Sequence, residues 1–297
     1  MFACILLPIQ TNRRGKYHQV SPGDQNTDTR VAWLRSILRI CIVLLTIFIT
    51  IGLSLILRLL LIPFPHSRYV GYNTRLLINP VAKLLFRIVN IRIRTHGRIS
   101  PHNQIVVANH LGYLDSLLLM SLSPCLVISS TEVRSKPIIG WVMDLFGHVF
   151  VDRRHHTSIL ETMGPVREML QRSCINTGFF PEGWSGNGLE LGEFHSPFFQ
   201  LAVGTGADIQ PLVFQMVKIN GHKVGLDDLP LLIYRITDGS VVNHVFRFLR
   251  IKALEIEVHI LEPITGAEIA LQGFDRKAIC HLAEERVRDA FRGIGTN

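Results

Sequence analysis

The longest apolar run in the chain covers residues 40–57, ICIVLLTIFITIGLSLIL, 18 positions without a charge. As a helix it reaches about 27 Å, close to the hydrocarbon thickness of a bilayer. Arg39 and Arg58 bracket it and are expected to extend towards lipid headgroups. The run begins too late and is too long for a cleaved signal peptide. Both flanks are basic, so charge bias sets no orientation, and a spanning or a re-entrant segment both stand. Residues 78–90, INPVAKLLFRIVN, carry a different pattern. Asn79 can cap and Pro80 suits a first helical turn. Val81, Leu84, Leu85, Ile88 and Val89 then recur at helical spacing, with Lys83 and Arg87 beside them. This predicts a basic amphipathic helix, lying in the membrane interface or packed on the rest of the protein.

Beyond residue 91 short β-branched runs alternate with helical patterns. Strands are expected at 104–109, 125–129, 148–152, 178–182, 209–217, 231–237 and 254–261. Helices are expected at 113–122, 136–146, 157–173, 196–205 and 275–292. Such alternation predicts an α/β domain whose mostly parallel or mixed sheet is flanked by helices. The chain then divides into a flexible basic tail (1–30), a membrane-embedded helical segment (31–90) and an α/β domain (91–297).

Composition sharpens this picture. Apolar residues make up 47% of the 297 positions and charged residues 18%, and mean hydropathy is +0.28, which favours a protein that meets a membrane. The net charge of +8 is unevenly spread: residues 1–100 hold 14 Lys/Arg against 2 Asp/Glu, and the remainder is net acidic. A basic block beside an apolar run suits an anionic lipid surface and argues against a nucleic-acid partner. The five cysteines are scattered and form no C-x-x-C, which excludes a disulfide framework and suits a reducing compartment. Despite 13 histidines there is no H-E-x-x-H, and no metal site is expected.

Candidate chemistry begins with NHLGYLD, which holds His110 and Asp115. A histidine can take a proton, and a carboxylate can orient it and stabilise its charged form. Five residues of regular helix would turn the two about 140° apart. They meet only if His110 lies in a turn after the 104–109 strand and Asp115 in the helix that follows. His222 and Asp227 repeat the spacing in a polar, hairpin-like stretch and serve as a decoy. Arg153 and Arg154 follow the 148–152 strand as donors for a phosphate or carboxylate. The loop FPEGWSGNG, residues 180–188, puts Glu182, Gly183, Trp184 and Ser185 after another strand. Ser185 could be a nucleophile, the glycines could cradle a phosphate, or the loop could serve a base held elsewhere. Pro211 and Leu212 lie in an apolar strand that could wall an acyl chain.

In that order these stretches resemble the glycerolipid acyltransferase family, which includes the 1-acyl-glycerol-3-phosphate acyltransferases. Its N-H-x4-D motif matches Asn109, His110 and Asp115. Its G-x-x-F-x-x-R motif matches Gly147, Phe150 and Arg153. Its F-P-E-G-T-R motif matches Phe180, Pro181, Glu182 and Gly183, and its proline-centred strand matches Ile209, Pro211 and Leu212. The resemblance covers residues 90–215 and departs at Trp184-Ser185, where Thr-Arg is usual, and at His195-Ser196-Pro197, where Lys-x-Gly is common.

The resemblance implies transfer of a fatty acyl group from a thioester to a lyso-lipid hydroxyl. The acceptor is 1-acyl-glycerol-3-phosphate or, given the missing arginine, a lipid such as lyso-ornithine lipid. His110 would be the general base, with Asp115 orienting it. Arg153, aided by Arg154, would bind the acceptor's anionic group. Glu182 and Trp184 would help place the acceptor, Gly183 would lend a backbone N–H to the oxyanion, and Pro211 and Leu212 would line the acyl site. No cofactor is implied, only acyl-CoA or acyl-carrier protein as co-substrate. The partners are membrane lipids, and the implied location is the inner membrane of a bacterium with the site on its cytoplasmic side. Two other classes compete: a serine hydrolase built on Ser185, and a non-catalytic membrane adaptor. The nucleophile elbow G-x-S-x-G fails at Asn187. No Walker motif exists, and GTG at 204–206 lacks a third glycine.

Overall fold

The computed structural model describes residues 26–100, 104–135, 139–152, 156–173, 175–236 and 240–295. It opens with a long helix, α1 (Asn26–Leu60), then α2 (His66–Asn73), a π-helical turn and α3 (Asn79–Ile88). The strands and helices that follow are β1 (Ile91–His96), β2 (Gln104–Ala108), α4 (Leu114–Leu122), β3 (Cys125–Ser130), α5 (Thr131–Arg134), α6 (Ile139–Leu145) and β4 (Val149–Val151). Next come α7 (His156–Arg172), β5 (Asn176–Phe179), β6 (Asp208–Ile219), β7 (His222–Lys223), α8 (Leu229–Leu232) and α9 (Val241–Phe248). The chain closes with β8 (Leu254–Ile260), α10 (Gly266–Gln272) and α11 (Arg276–Gly295).

One mixed sheet runs β1-β8-β6-β2-β5-β3-β4, with β7 paired to β6. β6, β2, β5, β3 and β4 are mutually parallel, whereas β8 runs antiparallel to β6 and carries β1 parallel on its outer edge. Both faces of the central strands are buried, which is why their sequences read as continuous apolar runs. Ile105, Val107, Phe179, Ile209 and Val213 pack beneath α7 and α11. Val106, Ala108, Leu212 and Phe214 pack with Phe86 of α3, Leu118 and Leu119 of α4, and Phe248 of α9.

α1 is an inverted amphipathic helix. Ser36, Arg39, Thr50 and Ser54 are buried against the protein, while Leu38, Leu45, Phe48, Ile49, Leu53, Ile56 and Leu60 are exposed. Small and polar side chains let helices approach closely where the outer medium is itself apolar. Ser54 donates to Asn73 Oδ1 of α2 at 2.8 Å. Only 11% of the most apolar window is buried, and by length and composition the helix can cross a membrane.

Several expectations change. Arg39 does not extend to headgroups. Its Nη1 donates to Leu249 O (2.9 Å) and Ile251 O (2.5 Å), and its Nη2 to Lys252 O (3.3 Å). These carbonyls follow the C-terminus of α9, where a helix has unpaired acceptors and favours a cation. Trp33 packs on Phe246 at 4.8 Å and strengthens the same contact. Arg39→Leu is therefore expected to destabilise the protein by about 2–3 kcal/mol, because it strands buried carbonyls. Thermal unfolding in detergent checks this.

Asn79 is not a cap: its side chain donates to Met120 O at 2.7 Å, tying α3 to α4. α3 buries Ala82 and Phe86, while Leu84 stays exposed. Residues 231–236 form no strand. They make the end of α8, with Pro230 in its first turn, and a 3-10 turn at Tyr234–Ile236; residue 237 is outside the described residues. Leu232 and Ile233 are buried against the sheet's face instead of joining it. The helix expected at 196–205 is a short 3-10 turn, Pro197–Leu201, because Gly204 and Gly206 adopt positive φ and end it. β1, α9 and α10 were not expected. β1 alternates apolar and charged residues, as suits an edge strand.

Candidate active site

β2 ends at Ala108, and the chain turns through residues 109–113 before α4 begins. Asn109 anchors that turn. Its Nδ2 donates to Phe214 O at 3.1 Å, and its Oδ1 accepts from Phe214 N–H at 2.7 Å. Both amide ends are thus spent on β6, which pins the exit of β2 to its neighbour.

His110 lies in the turn and Asp115 in the first turn of α4, so the five-residue spacing closes on itself. Asp115 Oδ2 is 2.8 Å from His110 Nδ1 and also accepts the backbone N–H of Leu111 (2.5 Å) and Gly112 (2.7 Å). The carboxylate is 2% exposed. A carboxylate only accepts, so Nδ1 carries the proton and Nε2 presents the lone pair. The ring stacks on Phe180, with centroids 4.3 Å apart and planes 12° apart. Its rotation is therefore restrained on one side by a carboxylate and on its face by an aromatic ring.

The glycine-rich loop wraps this pair. Glu182 is 7% exposed. Its Oε1 accepts His110 N–H at 2.7 Å, and its Oε2 accepts Gly192 N–H at 2.8 Å. Burial raises the pKa of Glu182, and the two N–H donors pull it back. Both oxygens are occupied by backbone, so Glu182 holds the loop and the His110 main chain. A Cβ at Gly192 would stand 2.7 Å from Glu182 Oε2, so a larger residue there would push the carboxylate from its place. Gly186 N–H donates to His110 O at 2.6 Å, a further strap. The far end of the loop is held by α11, where Phe194 N–H donates to Glu284 Oε2 at 3.2 Å.

The remaining sequence candidates fall as follows. Gly183 N–H donates to Phe180 O at 3.1 Å, so this donor serves the turn. Trp184 is 64% exposed. Ser185 supplies its carbonyl to Arg235 Nη1 at 2.6 Å, while His110 engages Asp115 through Nδ1. β4 ends at Val151, two residues before Arg153; Arg153 and Arg154 lie outside the described residues. The decoy histidine, His222, is exposed and sits 3.3 Å from Asp228, on the β6–β7 hairpin.

Pro211 and Leu212 are core residues of β6. A cavity of about 400 Å³ opens beside the next two positions, lined by Leu111, Val213, Phe214, Met216, Leu226 and Ile233 among others. A second cavity, about 680 Å³, lies between the loop and α11, bounded by Phe180, Gly183, Trp184, Phe194, His195 and Lys277 among others.

Sequence reasoning missed Arg235 and the link from Tyr113 to His244, whose Nδ1 shares a 3.0 Å hydrogen bond with the tyrosine hydroxyl. That bond ties α9, and through Arg39 also α1, to the turn that carries His110. No local pattern marks either residue, because each is brought in from more than 40 positions away.

Three comparisons with known proteins bear on this site. Residues 90–215 match a family model described as Acyltransferase. The lyso-ornithine lipid O-acyltransferase of Pseudomonas aeruginosa is 31% identical over 201 residues, covering 68% of this chain and 72% of that protein. A 1-acyl-sn-glycerol-3-phosphate acyltransferase of Neisseria gonorrhoeae is 28% identical over 188 residues, covering 63% of this chain and 69% of that protein. In fold, the chain is similar to the crystal structure of the 1-acyl-sn-glycerophosphate acyltransferase PlsC from Thermotoga maritima. The TM-score is 0.63 with 18% identity, over 91% of this chain and 99% of that one.

Proposed function

The chain belongs to the glycerolipid acyltransferase family, and from that premise we propose that it moves a fatty acyl group from an acyl thioester to the hydroxyl of a membrane lyso-lipid. The observation that carries the proposal is the His110–Asp115 pair, which leaves Nε2 as the free base at the carboxyl end of a buried parallel strand. An alcohol attacks a thioester poorly until a positioned base takes its proton. His110 Nε2 accepts that proton as the oxygen bonds to the acyl carbon. Asp115 stabilises the imidazolium, and the thiolate of CoA or of acyl-carrier protein departs with the C–S electron pair and then takes a proton. No acyl-enzyme and no metal or cofactor enters this scheme. The 400 Å³ cavity beside Leu111, walled in part by Val213, Phe214, Met216 and Ile233, suits the acyl chain. The apolar face of α1 and the exposed Trp184 suit a site held against a membrane, in a bacterium the cytoplasmic leaflet of the inner membrane.

The acceptor we propose is 1-acyl-glycerol-3-phosphate, with phosphatidate as product. A second reading, a lyso-ornithine lipid, is favoured by Ser185 standing where the family's arginine is usual and by the Pseudomonas relative. Both acceptors carry an anionic group. Arg235 is exposed and bonded to the Ser185 carbonyl, so it offers a guanidinium at the loop, with Arg153 and Arg154 as further donors. Labelled acyl-CoA and acyl-carrier protein, offered with a panel of lyso-lipids, test the proposal; no turnover with any acceptor overturns it. Arg235→Ala is expected to raise KM for the preferred anionic acceptor about 10-fold with kcat little changed, the loss of one charge-assisted contact. An unchanged KM removes Arg235 from the acceptor site.

A further inference from the structure

At the outer edge of the sheet sits a cluster that acyl transfer does not use. β1 and β8 pair in parallel, with His96 opposite His259 and Arg94 opposite Glu257. Alternate residues of a strand share a face, so His96, Glu257 and His259 converge on one side. The imidazoles stack, with centroids 4.5 Å apart and planes 12° apart. Nε2 of His96 is 3.4 Å from Glu257 Oε2, and Nε2 of His259 is 3.5 Å from the same oxygen. The three ligating atoms lie within 4.8 Å of one another. Nε2 of His259 is shielded from solvent yet makes no hydrogen bond. Arg94, the nearest cation on the strand, is drawn to Glu255 at 3.2 Å, which leaves the Glu257 carboxylate to the two imidazoles.

We propose that His96, Glu257 and His259 form a binding site for a divalent transition-metal ion, best matched to Zn²⁺, that ties edge strand β1 to β8. A tetrahedral Zn²⁺ with bonds of 2.0–2.1 Å places its donors about 3.3 Å apart, close to the two separations found. Two imidazole nitrogens and one carboxylate oxygen are a zinc-type donor set, with a fourth position open to water, whereas Mg²⁺ and Ca²⁺ prefer oxygen alone. His96 is half exposed, so an ion can enter from solvent. The consequence is mechanical. β1 leads directly out of α3 and, among the described residues, pairs only with β8, so the ion cross-links the exit of the N-terminal helical region to a strand far along the chain.

The test uses the full chain, without a polyhistidine tag, purified in detergent and stripped with a chelator. Zn²⁺ is titrated against a chromophoric chelator, and thermal unfolding is followed in parallel. Wild type is expected to take up one equivalent and to gain about 4 °C in unfolding midpoint at saturating Zn²⁺, because the ion binds the folded state. His96→Ala and Glu257→Gln should each bind at least 10-fold more weakly and lose that gain; the half-exposed His96 can be truncated without disturbing the core. Co²⁺ in place of Zn²⁺ should give the intense visible bands of a tetrahedral site in wild type alone. Absence of Zn²⁺ binding by wild type overturns the site. So does binding by both variants within 3-fold of wild type. Binding without a rise in midpoint overturns the cross-link.

Discussion

Replacing His110 with alanine is expected to lower acyl transfer about 10³-fold while leaving the folded state in place. The magnitude is that of a lost general base. The imidazole is the group with a lone pair directed away from Asp115, and nothing else in the turn can substitute for it. The fold should survive because the turn is held by Asn109 on β6 and by Asp115 on the Leu111 and Gly112 N–H groups, none of which needs the ring. Loss of the Phe180 stack costs about 1 kcal/mol, visible as a small drop in midpoint. Steady-state turnover with the preferred lyso-lipid, beside circular dichroism, decides the matter. Activity within 10-fold of wild type would remove His110 from the chemistry. Ser185→Ala is the companion measurement. It should stay near wild type, because Asn187 breaks the G-x-S-x-G spacing that a nucleophilic Ser185 would need; complete loss would restore the serine-hydrolase reading.

Glu182→Gln should lower kcat about 30-fold and stability by about 2 kcal/mol, with little change in acceptor KM. The reason lies in donor counting. Both oxygens of Glu182 accept backbone N–H groups, one from His110 and one from Gly192, inside a buried site. A glutamine offers one oxygen, and its NH2 confronts the other N–H donor to donor. The His110 main chain loosens, and the base loses its alignment. The split between kcat and KM separates this positioning role from direct contact with the acceptor. A glutamate that touched the acceptor would show its loss mainly in KM, and that result would overturn the structural reading.

Much of this was legible in the chain. The run at 40–57 declared a membrane-type helix because 18 uncharged residues admit few other uses. The buried strands showed as unbroken apolar runs, since helices cover both faces of the sheet. The His110–Asp115 spacing dictated a turn between strand and helix, because one continuous helix would have separated the two side chains. Other features were illegible for equally physical reasons. The 231–237 stretch had the composition of a strand, but Pro230 and the burial of Leu232 and Ile233 turned residues 231–236 into the end of a short helix and a 3-10 turn. Arg39 read as a headgroup ligand because sequence shows only that it borders an apolar run. Its carbonyl partners lie more than 200 residues away.

The glycine loop at 180–188 marks the division most clearly. Sequence alone determined that this chain is an α/β protein with an apolar N-terminal helix, and it determined which short motifs it bears. Those properties depend on periodicity and spacing, which are local. Which atoms of Glu182 are occupied, that Gly183 spends its N–H on a turn, and that Arg235 arrives at Ser185 were decided only by the tertiary structure. Hydrogen-bond partners are chosen by proximity in space, and the sheet order β6-β2-β5 brings together segments that the chain keeps far apart.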